Sequence, residues 1–167
     1  LAIDGSQSSA RFIVNLRMKL RTEGRISKVA GEMQGDPAGG WTMLVAADGR
    51  SLKVSGPRWM DRATRSDDFL AVDSHPDIRF RSERFSDALL HAGGRIAGEL
   101  TLRGLTRPVS FRLLPSACAN PGRDCDLQVH GTIFFSKVGA TTEIYTVGHA
   151  LSLHEALPLY AAGGAAP

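Results

Sequence analysis

The sequence predicts an all-β chain, an antiparallel β-barrel of about eight strands with one short helical connection. Three observations lead there. Several stretches alternate polar and apolar residues with a period of two, which marks strands with one buried and one wet face. Runs rich in Gly, Pro, Asn and Asp separate these stretches, and those residues favour turns. One segment, Arg58 to Val72, has no alternation and carries side chains suited to capping short helices. A chain of 167 residues is long enough to bury a sizeable core, and its length predicts one domain over residues 1–157 with a flexible tail over 158–167.

The first ten residues are small and polar. Arg11 to Arg21 then reads as a strand, with Phe12, Val14, Leu16, Met18 and Leu20 on the inward parity. Arg17 and Lys19 fall on the outward one, and a slip of one residue would expose the whole apolar face. Thr22 to Gly24 reads as a turn. Gly35 to Gly40 is a loop by composition. Trp41, Met43, Val45 and Ala47 share a parity; Asp48-Gly49 is a two-residue turn signal, and Ser51 to Ser55 a short strand. In the helical connection Asp61, Ser66 and Asp67 are the candidate caps.

Pro76 opens a strand with Ile78, Phe80 and Ser82 on one parity. Gly93-Gly94 reads as a hairpin turn. Gly94 to Leu114 is a hairpin with Ile96, Gly98, Leu100 and Leu102 on one parity of its first strand and Val109, Phe111 and Leu113 on one parity of its second. Because proline cannot donate to a ladder, Pro108 is expected at the start of the second strand, after a turn of four to six residues. Leu127, Val129, Gly131, Ile133 and Phe135 share a face, and Val147 to Leu157 is expected as the last strand.

The chemistry-bearing residues point away from catalysis. Twenty basic residues against seventeen acidic ones give a weak positive charge. Neither a nucleic-acid motif nor an aromatic series for stacking bases accompanies it. The five histidines lack the i, i+2 spacing that would bind a metal from one strand face. There is no G-x-S-x-G elbow and no phosphate-cradling glycine loop. Asp61, Asp67, Asp68 and Asp73 read as caps and solvated carboxylates rather than an acid–base pair. No run approaches the twenty or so apolar residues that span a bilayer. Arg17, Lys19 and Arg21 would allow a transient contact with an anionic membrane surface.

The hairpin wording G-x-L-T-L-x-G-x-T-R-P-V occupies Gly98, Leu100, Thr101, Leu102, Gly104, Thr106, Arg107, Pro108 and Val109. It resembles the hallmark segment of the YceI-like family, lipocalin-like barrels that bind polyisoprenoid or other long-chain lipids. Pro76, Ile78, Phe80 and Ser82 resemble that family's P-x-I-x-F-x-S strand. Asp61, Arg65, Ser66, Asp68 and Phe69 resemble its helical connection, while Ala63 and Thr64 replace the usual His-Leu. Ile3, Asp4 and Ser8 fit its opening, with Gln7 where histidine is common. The R-x-D-F-G motif is not kept at Phe135 to Gly139. The resemblance spans roughly residues 3 to 155.

The resemblance implies a lipocalin-like barrel and a binding protein rather than an enzyme, with a hydrophobic small molecule as partner. A bound polyisoprenoid or other long-chain lipid is expected, and no required cofactor or metal. Ala47, Gly98 and Gly131 on the inward parity would leave a channel. Phe12, Val14, Leu16, Met43, Val45, Ile78, Phe80, Leu100, Phe111, Val129, Ile133 and Phe135 would line it. Two other readings stay open: a small barrel enzyme or redox accessory acting on a lipid or quinone, and a filled barrel that works through its surface. The oligomeric state is also open, a homodimer included. Cys118 and Cys125 bracket Asn120-Pro121-Gly122, and their spacing suits a disulfide pinning a loop; free thiols in a reducing compartment are the alternative. The chain opens at Leu1 rather than methionine, and the expectation is a periplasmic or secreted protein whose signal peptide has been removed.

Overall fold

A computed structural model describes the backbone of residues 2–3, 9–16, 20–137 and 140–149, and the side-chain surroundings of residues 9–11 and 23–131. In chain order the strands are β1 (Ala2–Ile3), β2 (Ser9–Leu16), β3 (Leu20–Ile26), β4 (Val29–Gly35), β5 (Gly40–Asp48) and β6 (Leu52–Val54). Helix α1 (Arg58–Arg65) precedes β7 (Asp77–Ser82) and β8 (Phe85–Ser86), and α2 (Ala88–Ala92) precedes β9 (Gly94–Leu102). The chain continues through β10 (Leu105–Leu113), β11 (Val129–Lys137) and β12 (Ala140–His149). Eight of these strands run for seven residues or more.

The strands form one curled antiparallel sheet, lipocalin-like in architecture. β5 pairs with β7, β7 with β9, and the series runs on through β10, β11 and β12 to β2 and β3. Only Ser27 and Lys28 separate β3 from β4, and β4 pairs with β5. The ladder is open between β3 and β4, which are joined through the chain and not paired, so the sheet curls into a half-barrel. β6 and β1 flank the corner, β6 on β3 and β1 on β4. On this wall the inward parity is apolar. The rung Val45, Phe80 and Leu100 crosses three strands, and Phe111 lies opposite Ile96 on the next pair. Met33, Met43, Ile96 and Leu113 are almost wholly buried in the same cluster.

Helix α1 is fastened to this wall by Arg65. Its guanidinium pairs with Asp61 one turn back at 3.1 Å and donates to the carbonyls of Leu52 and Arg50. The chain after α1 then carries Leu70 and Val72 into the core. Asp61 therefore acts inside the helix and not as its cap, which Pro57 provides without a side-chain bond. Ser66 ends α1 rather than starting another helix.

Several strand limits differ from those the alternation suggests. The run expected from Arg11 to Arg21 is two strands. The chain reverses between Leu16 and Leu20, which face each other, and Thr22 to Gly24 lie within β3 instead of forming a turn. Asp48-Gly49 makes a kink and not a hairpin. The Asp48 carboxylate accepts from Arg50 N at 2.9 Å and Ser51 Oγ donates to Asp48 O at 2.7 Å, so a single 3-10 turn passes β5 into β6 in the same general course. Gly93 closes α2 with a positive φ of 69°. β12 begins at Ala140, directly across from Lys137, because Thr141 to Val147 is a β-branched and aromatic run. The parts of the expected last strand and tail beyond His149 lie outside the described residues, as do Arg17, Met18 and Lys19.

The hallmark hairpin has a tighter turn than expected. Leu102 faces Leu105 across Arg103-Gly104 alone, and both turn residues have positive φ, 57° and 70°. That is the two-residue geometry whose twist suits a hairpin. Pro108 sits inside β10 opposite Glu99, not at its start. In a two-residue hairpin the closing pair is hydrogen-bonded and the pairs then alternate. Counting from Leu102↔Leu105, the pair Glu99↔Pro108 is a non-bonded one, so the missing N–H of Pro108 falls on the side away from β9.

Two glycines fix the core's aromatic contact. The rings of Phe80 and Phe111 meet edge to face with centroids 4.8 Å apart. A Cβ on Gly98 would strike the carbonyl oxygen of Arg81 and lie 2.8 Å from both the Phe80 ring and Ser82 Cα. A Cβ on Gly131 would run into the Phe111 ring. The space these glycines leave is taken by the two phenylalanine rings and by the neighbouring backbone. Gly98→Ala should therefore destabilise the fold by about 1–3 kcal/mol through overpacking. A shift in the midpoint of chemical denaturation with unchanged slope is the readout. Gly131→Ala should cost less, because a ring can move where a backbone carbonyl cannot.

Cys118 and Cys125 form a disulfide, with Cα atoms 6.3 Å apart. The loop between them is tightened by Gly122 N donating to Cys125 O and by Asn120 Nδ2 donating to Asp124 Oδ2 at 2.7 Å. A bridge closing so small a loop is worth roughly 2–3 kcal/mol in the chain-entropy account. Thiol titration of the native protein should find no free sulfhydryl at these two positions. Reduction should lower the melting temperature and leave the strand signal in circular dichroism intact.

Candidate functional site

The predicted lining residues with described side chains share one apolar mass. Met43, Phe80, Leu100 and Phe111 are buried in the core cluster, and Val45, Ile78 and Val129 are partly buried against it. Gly98 and Gly131 lie behind Phe80 and Phe111. The side chains of Phe12, Val14, Leu16, Ile133 and Phe135 lie outside the described residues, although their strands and pairings are described. What the alternation placed inside is thus largely packing on the β4–β10 side of the sheet.

The inward face does not stay covered along β10. In an antiparallel ladder, residues directly opposite one another point to the same side. Leu105 faces Leu102, Arg107 faces Leu100 and Val109 faces Gly98, so all three share the core's parity. Leu102 and Leu100 are 8% exposed, yet Leu105 is 57% exposed, Arg107 is exposed and Val109 is half-buried. Among the described residues, no strand is paired with β10 on that side. β10 and β11 pair at Arg112↔His130 and Leu113↔Val129, and among the described residues the ladder goes no further, although β10 starts at Leu105 and β11 runs to Lys137. A lateral seam opens there. Pro108 accounts for part of it locally, since its ring nitrogen offers no donor to a strand on that side. The sequence does signal this seam through a proline in mid-strand.

Two recesses lie on the outer face, where the pattern indicates only a wet surface. One, of about 600 Å³, runs over Leu44, Ala46, Arg79, Arg81, Glu99 and Thr101. It exists because the rung Ala30, Ala46 and Arg79 opens with two small residues. The other, of about 490 Å³, lies along the rung Arg95, Arg112 and His130. Among the described residues no three of His, Cys, Asp and Glu converge as a metal site. Asp36 is a carboxylate with a clear shift. The Arg84 guanidinium beside it holds its carboxyl down at about 2, and the pair pins the β4–β5 loop to the chain after β7. This pair is structural in placement, at the sheet end away from the β9–β10 turn. Among the described residues the inward side is an apolar mass with no assembled acid, base or nucleophile.

The fold recurs in solved structures of low sequence identity. BcnA of Burkholderia cenocepacia is similar at 17% identity, with a TM-score of 0.66 over 89% of this chain and 98% of that one. A polyisoprenoid binding domain from Saccharophagus degradans is similar at 11% identity, with a TM-score of 0.58 over 88% and 95%. The YceI protein of Campylobacter jejuni gives 16% identity and a TM-score of 0.54 over 76% and 82%. No curated protein matches the sequence. The family model for the YceI-like domain matches residues 1–155, so the wall, its hallmark hairpin and the helical connection together make this chain a member of the YceI-like family.

Proposed function

We propose that the protein binds a long apolar lipid, of polyisoprenoid, isoprenoid quinone or fatty-acyl type, inside its barrel and carries or sequesters it without chemistry. The observation that carries this reading is the uncovered inward face of β10, where Leu105 and Val109 face the lumen beside an unpaired seam. Apolar surface left facing inward is an adhesive for an apolar chain, worth about 25 cal/mol per Å² removed from water. Family membership supports the reading, and so does the similar fold of a domain described as polyisoprenoid-binding. On this reading the lipid rests on Leu100, Val109 and Phe111, reached from the seam, and on the predicted residues of β2 and β11. No cofactor takes part. The protein acts as one barrel domain in the periplasm or outside the cell, and the Cys118–Cys125 bridge suits such an oxidising compartment.

A second reading has one observation behind it. Phe80 and Phe111 fill the space beside Gly98 and Gly131, as a filled barrel acting through its surface would require. Retention of a labelled polyprenol by the purified protein separates the two. Binding should change little between low and high salt, because burial supplies the energy. Leu105→Ser, at an exposed position that should spare the fold, should weaken retention several-fold. Failure of the wild-type protein to retain any long-chain lipid, in that assay and in solvent extracts, would overturn lipid carriage in favour of the filled barrel.

A further inference from the structure

Arg107 stands on the inward parity between Leu105 and Val109, directly opposite Leu100. It is exposed, and among the described residues it forms no ion pair. Its neighbours across β9 on that face are leucine and glycine, which offer a guanidinium nothing but contact for its stem. On the β11 side no pairing with β10 is described at this height, so among the described residues nothing opposes the fork of donors at the seam. The outer-face hydroxyls beside it, Thr101 and Thr106, are engaged with each other at 2.7 Å and point the other way. An arginine in this setting is built to meet a planar or tetrahedral oxyanion, with two parallel N–H donors and a permanent charge.

We propose that the β10–β11 seam admits the ligand and that Arg107 holds the oxyanion at the end of its apolar chain, a carboxylate or a phosphate. This rests on the lipid-binding reading and adds to it the class of ligand: an amphiphile with an anionic head, its tail along the inward face and its head at the wall's opening. Depth and polarity agree, since the core's apolar rungs lie toward Phe111 while Arg107 lies toward the open end of β10.

The test compares palmitate, hexadecyl phosphate and hexadecanol, which share one tail and differ in the head. Affinities are measured for wild type, Arg107→Ala, Arg107→Gln and Arg112→Ala, with thermal melts confirming that each variant is folded. Arg112 carries the same charge on the outer face, beside His130, and controls for bulk electrostatics. Removing Arg107 should weaken an anionic ligand roughly tenfold, the loss expected for a charge-assisted hydrogen bond. Hexadecanol binding should be unchanged, and Arg112→Ala should bind all three as wild type does. Loss with palmitate alone identifies a carboxylate head, and loss with hexadecyl phosphate alone a phosphate head. Equal loss for hexadecanol, equal loss in Arg112→Ala, or no loss in either Arg107 variant overturns the arginine's role while lipid carriage stands. Failure of the wild type to bind all three overturns both.

Discussion

The structure depends on one constraint, the alternation of the antiparallel ladder from strand to strand along the curled sheet. Once β3 faces β2 and β7 faces β5 in a fixed register, every side chain in the sheet is assigned to the inside or the outside. The core follows from that assignment, because Val45, Phe80 and Leu100 can meet only if three strands agree in phase. The close approach at Gly98 follows as well. The Arg81 carbonyl and the Phe80 ring occupy the volume of a side chain there, so the register and the glycine require each other.

Much of this was legible in the amino-acid pattern, and the failures have physical causes. The strands of the hallmark hairpin and the Pro76 to Ser82 segment follow the alternation closely, because both are long and flanked by turn formers. The reversal between Leu16 and Leu20 was hidden, since the alternation continues through it with neither Gly nor Pro to break the run. Asp48-Gly49 was misleading in the opposite sense. The same Asp side chain that favours a hairpin turn also caps a 3-10 turn, and the neighbours of β5 and β6 decided between them. β12 starts earlier than the alternation indicates, because the run Thr141 to Val147 favours a strand through β-branched and aromatic residues without alternating cleanly.

The candidate site was legible in composition and less so in shape. Parity marks which residues face inward, and the described ones do. It does not say which of them are covered, because coverage depends on whether the next strand is paired. Leu105 and Leu102 have the same side chain, the same parity and adjacent places on the ladder, yet one is exposed and the other buried. That difference is set by β11, a strand that follows β10 after fifteen residues, the disulfide loop among them. Likewise the hollow over Ala46 comes from two small residues meeting across strands, a coincidence that only the register reveals.

An unzipped seam is also a length of naked strand edge, and such edges invite other chains to add themselves as extra strands. Pro108 stands in the middle of one lip of this seam, with Arg107 beside it. Proline breaks the row of donors that a foreign strand would need, and an arginine there would lose its hydration to a stacked copy. Pro108 and Arg107 thus act as gatekeepers against fibrous association, so an unpaired seam need not become a template for aggregation.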